Sequence, residues 1–308
     1  MGLIPLTGGG SFTRQNIADI NSNFAALQTV DLWVRPQYGD NANVGSYEKP
    51  LATMAGASKY LRPGLVVGLE GVLTEEFTAP LGVNNVTILG FQATPRQATT
   101  SSIPNGGGAT WLSPSGGTGT LLKVRAQGWT VANVYFNNSA TAAACVQVLT
   151  DGAGDPPVDA SAEHFLLKNC ILTGADDGLN VNGGTNFITI DGCTFFGFSG
   201  SGDMAISSTA GAGVQTLLGW KILNSTFRGN ASHIVAALSH GQILNCTFDT
   251  ASSAVINLTG GVAPNFVVGN RFNIAAADFD PAGGVTGVTG DVWYNVLSDA
   301  VEVGLPAN

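Results

Sequence analysis

The sequence predicts an all-β solenoid, with one turn of chain per repeat. Three observations predict it: a hexamer recurring at a near-constant interval, strand grammar inside each copy, and a composition rich in glycine and poor in charge. "ILNSTF" (222–227) returns one short interval later as "ILNCTF" (243–248), and "VANVYF" (131–136), "LKNCIL" (167–172), "IDGCTF" (190–195) and "VVGNRF" (267–272) share its shape. Anchored on the third letter, the copies stand at 133, 169, 192, 224, 245 and 269, in steps of 36, 23, 32, 21 and 24. An earlier "VNNVTI", anchored at Asn85, precedes Asn133 by twice 24 and reads as two coils. A period of 21 to 25 with two longer steps marks a solenoid with loop insertions.

Each hexamer alternates, is rich in β-branched and aromatic residues, and is bounded by Gly, Asn, Asp or Ser, which is the pattern of a strand between turns. The fourth letter reads Val134, Cys170, Cys193, Ser225, Cys246, Asn270 and the sixth reads Phe136, Leu172, Phe195, Phe227, Phe248, Phe272. Residues two apart share one side of a strand, so a column of small residues runs beside a column of rings. Such columns fill a narrow core, because equivalent side chains on successive coils lie about 4.8 Å apart. Asn169, Asn224 and Asn245 at the third letter shape the bend into the strand, where a short amide tolerates the left-handed conformation.

Composition agrees: 42 glycines in 308 residues, 44% hydrophobic and 11% charged residues describe many tight turns around a continuous core. Residues 65–308 suffice for about ten coils, a rod of roughly 50 Å. Twelve Lys plus Arg against 21 Asp plus Glu offer no basic stripe, which argues against nucleic-acid binding. "MGLIPLTGGGSF" lacks the charged and apolar regions of a signal peptide. Apolar runs such as "LVVGLEGVL" are too short to span a membrane. Cys170, Cys193 and Cys246 share a rung position and Cys145 lies one such period before Cys170, so stacking could suggest disulfides or a thiolate metal site. The absence of any CxxC pair and the tendency of free cysteine to be buried favour reduced core residues and no metal.

The N-terminal segment 1–33 differs in kind. Ile17, Ile20, Phe24 and Leu27 recur at 3, 4, 3, a heptad face behind Thr13 as helix cap. The face is too short to hold a lone helix, so it needs sister chains, a socket, or the open end of the solenoid, which it could cap. A lead-in region, 34–64, follows: a Gly, Asn and Asp loop, then "KPLATMAGASKYL" as a short amphipathic capping helix, then "RPG" turning into "LVVGL", the first strand of a solenoid spanning 65–308.

"GDNANVGSYEKPLATMAGA" followed by "LRPGLVVGLEGVLTEEF" resembles the opening of pectate-lyase-like right-handed parallel β-helix proteins, particularly tailspikes and fibres of tailed bacteriophages. "NIADINSNFAALQ" resembles the leader by which phage fibres trimerise and attach to the particle. The resemblance covers about residues 11–90. It implies a homotrimer of right-handed parallel β-helices, located in the virion as a tail or head appendage. Such a protein is made in the host cytoplasm and joins other virion proteins through its N-terminus. Its expected role is structural, with adhesion to bacterial surface glycan; the alternative is a polysaccharide depolymerase, and a bacterial adhesin is disfavoured by the missing signal peptide. No cofactor is implied.

Cleavage has to be argued from residues. Hydrolysis needs two carboxylates about 5 to 9.5 Å apart. The candidates are Asp151 in "LTDGAGD", Asp176 and Asp177 in "TGADDGLNV", Asp203 in "SGSGDM" and His240 in "LSHGQ". Measured from the ladder anchors, Asp151, Asp176 and Asp203 sit at +18, +7 and +11, so a shared column requires insertions in convenient places. "TDG", "DD" and "SHG" faintly resemble the polygalacturonase-type elements, but the first Asn is absent, a Ser replaces a Gly and no Arg-Ile-Lys follows. A lyase needs a calcium-binding acid cluster and a basic residue, whereas Lys123, Arg125, Lys168, Lys221 and Arg228 fall at scattered offsets. "ADDG" reads more simply as a turn. The two long steps, about 137–166 and 196–221, are expected to protrude as loops, with Asp155, Phe198 and Trp220 as exposed residues for a receptor, partner or sister chain.

Overall fold

The computed structural model describes residues 30–91, 109–149, 162–182, 185–209, 217–249, 251–258, 260–273, 285–287, 291–297 and 302–303. Within them the chain is a right-handed parallel β-helix. Each coil lays down strands on three faces in turn. The first face stacks Leu32–Val34, Val66–Glu70, Thr87–Phe91, Thr130–Ala132, Leu166–Lys168, Thr189–Asp191, Lys221–Leu223, Gln242–Leu244 and the start of Phe266–Asn273. The second stacks Val72–Thr74, Ala109–Leu112, Val134–Asn138, Ile171–Gly174, Thr194–Phe196, Thr226–Arg228 and Thr247–Asp249. The third runs from Phe77–Thr78 through Leu122–Val124, Val146–Leu149, Leu179–Asn182, Met204–Thr209, Ser232–Val235 and Ala254–Asn257 to Val285–Thr286. The pairing is parallel throughout, except where Glu302–Val303 returns antiparallel to Val292–Leu297. Among the described residues the first rung is Leu32–Val34, ahead of the solenoid start expected at residue 65.

The ring column is present in register. Trp111, Phe136, Leu172, Phe195, Phe227, Phe248 and Phe272 oppose one another rung by rung. Ring centroids are 5.1 Å apart for Phe195 and Phe227, 4.9 Å for Phe227 and Phe248, and 5.0 Å for Phe248 and Phe272, with planes within 18° of parallel. The coil spacing dictates this near-parallel stack, since flat rings in one rotamer fill about 4.8 Å per rung without voids.

Beside it, Cys170, Cys193, Ser225, Cys246 and Asn270 occupy the buried small column. At its C-terminal end the column turns into an amide ladder: Cys246 N donates to Asn270 Oδ1 (2.8 Å), and Asn270 N donates to Asn295 Oδ1 (3.1 Å). The amides satisfy main-chain groups that the corner takes out of the sheet. All four cysteines are free and buried. Cys145 belongs to a different corner, where its thiol donates to the Thr173 carbonyl. Burial pushes the Cys145 and Cys246 thiols up to about 12 and raises Cys193 well above the usual thiol range. Thiol titration is therefore expected to find four free thiols per chain, reactive only after denaturation; two or fewer under non-reducing denaturant would sink the core assignment.

Two corners are built on left-handed residues. Between the first and second faces stand Asn133, Asn169, Gly192, Asn224, Asn245 and Gly269, with φ from +50° to +69°. Gly192 is required twice over: its φ is +65°, and a Cβ there would come within 2.5 Å of Asn169 Oδ1 on the preceding coil. Between the third and first faces stand Asn85, Gly128, His164, Phe187, Gly219 and His240, with φ from +55° to +72°.

Asn85 thus belongs to the second corner and not to the column of Asn133. Ile88 pairs directly with Val131, so the long step from Asn85 to Asn133 is one coil carrying an insertion and not two coils. The expected loop at 196–221 contains wall strands: Met204–Thr209 forms part of the third face and Leu217–Leu218 pairs with Leu238–Ser239. That span has to supply the third face of its own coil. Phe198 and Trp220, expected to be exposed, are fully buried. Phe198 packs over the Cβ-free surfaces of Gly174 and Gly178. Trp220 follows the corner residue Gly219, as Trp129 follows Gly128, and its indole N–H donates to the Thr185 carbonyl (2.9 Å).

In the lead-in region the helix expected over 49–61 is confined to Met54–Ala57 and a 3-10 turn at Ser58–Tyr60, because Leu51 is drawn into a bridge with Val34. The Thr53 side chain accepts from Gly56 N (2.9 Å), and the Glu75 carboxylate accepts the Met54 and Ala55 N–H groups, which fastens the helix to the first coil. Ile17, Ile20, Phe24 and Leu27 lie outside the described residues, as do Asp151 and Asp155.

Candidate functional site

Three of the candidate acids meet at the corner joining the second face to the third. Leu179 pairs with Ile206, which sets the turn bearing Asp176 and Asp177 one coil from Asp203. The mismatch in their offsets is absorbed before the third-face strand, where Asp203 N returns to the Gly200 carbonyl.

Their roles differ. Asp177 is fully engaged: Oδ1 accepts from Met204 N (2.9 Å), Oδ2 accepts from Asn180 Nδ2 (3.1 Å) and from the Ser207 hydroxyl, and its carbonyl accepts from Cys145 N (2.9 Å). One residue therefore ties its own coil to the coils on both sides. Asp203 is buried and accepts from Gly200 N (2.7 Å), closing its own turn. Asp176 faces the outside. Partial burial first, then the negative charges of Asp177 and Asp203, raise its carboxyl above the usual range, while a backbone N–H bond from Asp177 opposes the rise.

Asp176 lines a groove of about 370 Å³ along the outer side of the third face, with Lys123, Gln147, Asn180, Thr118 and Thr120. Lys123, Gln147, Asn180 and Ser207 occupy one column by strand register. From Gln147 onward the column is hydrogen-bonded: Gln147 Nε2 donates to Asn180 Oδ1 (3.3 Å), and Asn180 Nδ2 donates to Ser207 Oγ (2.8 Å).

Behind the corner, on the second face, Tyr135, Asn137, Ser139, Thr173 and Phe196 line a second cleft of about 360 Å³. The turn between the two is fixed by Asn138, whose buried Nδ2 donates to the Ala143 and Ala144 carbonyls (both 2.9 Å) and whose Oδ1 accepts from Ala140 N (3.1 Å). Arg228 lies over the Phe196 ring at 5.3 Å. Sequence reasoning missed Asn138, Gln147 and Asn180; the only signal was polar letters alternating with Val and Leu in "VQVL" and "LNVN".

His240 is elsewhere. It is exposed on the corner joining the third face to the first, two coils farther on, with φ +55°. Among the described residues no group of three or more His, Cys, Asp or Glu could hold a metal, and no helix is long and apolar enough to cross a membrane.

An Asp177→Ala replacement is expected to cost about 1–3 kcal/mol, because the Met204 N–H and the Ser207 and Asn180 side chains lose a shared acceptor. Asp176→Asn, which strips no such bond, is expected to leave the melting temperature within a degree or two. Thermal unfolding of both variants checks the division of labour; equal losses would contradict it.

The fold and the site together define a right-handed parallel β-helix with a polar groove wrapped around one corner. No family model matches the sequence, and no curated protein does. Among solved structures, an alginate lyase from Paenibacillus sp. str. FPU-7 is 14% identical with a TM-score of 0.41, the match covering 72% of each chain. The Dettilon tailspike protein is 14% identical at TM-score 0.36, over 95% of this chain and 70% of that one. A tailspike that is a capsular polysaccharide depolymerase of an Acinetobacter baumannii bacteriophage is 17% identical at TM-score 0.35, over 68% and 48%.

Proposed function

We propose that this chain is the rod of a trimeric fibre or spike of a tailed bacteriophage, a structural virion protein that holds host-surface glycan. One observation carries the adhesive part: of the three acids gathered at the corner, Asp177 and Asp203 spend their carboxylates on the fold, leaving Asp176 among amides, hydroxyls and one lysine in an open groove. Amides and hydroxyls in a row match the donors and acceptors of a sugar chain. Two-carboxylate cleavage would need a second open acid beside Asp176. The virion assignment rests on the lead-in and leader motifs.

A depolymerase is the second reading, favoured by the elevated pKa of Asp176, which suits a general acid. Incubating the full chain with purified host capsule separates the two. Binding in calorimetry without release of reducing ends or unsaturated sugars is expected. Cleavage that Asp176→Asn abolishes in a folded protein would establish the enzyme instead.

Deleting residues 1–30 tests the attachment role. The expected product is β-rich and unfolds cooperatively, since coils contact chiefly their neighbours, but it no longer joins virions. Should the truncated chain aggregate while the full chain is a folded monomer, the segment is a cap on the solenoid.

A further inference from the structure

The outer side of the first face changes character along the rod. In the middle coils its two outward columns carry Thr130 and Ala132, Leu166 and Lys168, Thr189 and Asp191. From the coil of Leu223 onward one column is apolar throughout, with Leu223, Leu244, Val268 and Tyr294 aligned, and the other passes from Lys221 and Gln242 to the pair Phe266 and Val292. Phe266 is 40% exposed, Val292 44% and Tyr294 55%. Beyond Lys221 the columns carry no charged side chain on the described rungs, in a chain whose net charge is −9.

We propose that this strip is where a second copy of the chain packs, with the two rod axes parallel. Parallel sheets are seldom left with apolar residues facing water, so the face calls for a cover. Sugars would need a row of polar groups, whereas past Gln242 the strip offers only aliphatic carbon and aromatic rings, and an acidic chain repels its own copies except where charge is absent. The columns run along the rod, so copies side by side bury them over several coils.

The exposed parts of the three large side chains and the half-buried Leu223, Leu244 and Val268 supply roughly 300–400 Å² per copy. That is the apolar centre of an interface of about 800 Å² per partner, with a polar rim such as Gln242 and Lys221 making up the rest. The proposal rests on the trimer reading above and gives it a place.

The test is the mass of the full chain in solution by light scattering. Wild-type protein is expected at three chains, and a Val292→Lys, Tyr294→Lys double variant at one, with the same β signal in circular dichroism because Val267 and Trp293 still point inward. Should the charged variant misfold, Gln242→Cys replaces it: the native thiols are buried, so a short bis-maleimide should join copies at least tenfold more than it does with Thr226→Cys on the second face. A monomeric wild type overturns self-association and the trimer with it. A folded variant that stays assembled, or equal cross-linking at both cysteines, overturns only the placement and leaves the trimer standing.

Discussion

Replacing Phe227 with alanine is expected to lower the stability of the β-helix by about 3–5 kcal/mol. Phe227 is fully buried between Phe195 at 5.1 Å and Phe248 at 4.9 Å, and His233 lies 6.0 Å from it. Three terms add. The lost ring transfer is worth about 1.5–3 kcal/mol and the two lost stacks about 0.5–1.5 each, which together bracket that figure, and a cavity term keeps the loss from falling to the low end because parallel strands locked by ladder bonds cannot close the gap. Phe266→Ala on the outer surface should cost the isolated chain under about 1 kcal/mol. Denaturant midpoints of the two variants make the comparison, and a loss at Phe227 below about 1.5 kcal/mol would show that the column does not carry the core.

Acidification is expected to remove about 3 kcal/mol of stability between pH 6.5 and about 4 through one side chain, His233. It is fully buried: its Nε2–H donates to the Asp249 carbonyl (2.6 Å) and its Nδ1 accepts from Asn230 Nδ2 (3.0 Å). A carbonyl can only accept and an amide N–H₂ only donate, so the ring is neutral and its tautomer fixed. Burial lowers its pKa from 6.5 to about 4, partly opposed by the bond and charge of Asp249. The folded pKa lies below the unfolded one, so the unfolded chain takes up the proton first. The contribution is therefore complete above pH 6.5 and lost as pH falls toward about 4. His233→Gln keeps a donor for Asp249 and an acceptor for Asn230 without titrating. The difference in unfolding free energy between wild type and variant should shrink or reverse across that window. A pH-independent difference would show that His233 is not the group responsible.

The ladder was legible because repetition imposes the same requirement on every coil. Phe195, Phe227, Phe248 and Phe272 announce their column by position alone, and Asn169, Asn224 and Asn245 announce a left-handed corner that only Asn or Gly fills cheaply. Asn85 was misplaced because both corners use the same chemistry, and one hexamer cannot say which of them it turns. Trp220 had a signal: "GWTV" at 128–131 and "GWKI" at 219–222 repeat a corner glycine followed by a buried indole, so the span around it had to contain wall.

The candidate site was legible only as a set of intervals. Asp176 and Asp203 lie little more than one period apart in the chain, yet whether they fall on neighbouring coils depended on where the extra residues were accommodated, and Leu179 pairing with Ile206 settled that. The sequence by itself determined the period, the ring column, the buried thiols and the acidic, weakly charged surface, all consequences of local strand grammar applied once per turn. Only the tertiary structure decided that Asp177 is spent on Met204 and Ser207 while Asp176 stays open. Adjacent residues in a turn point in different directions, and which of them meets a donor is fixed by the register of the next coil, which no single strand encodes.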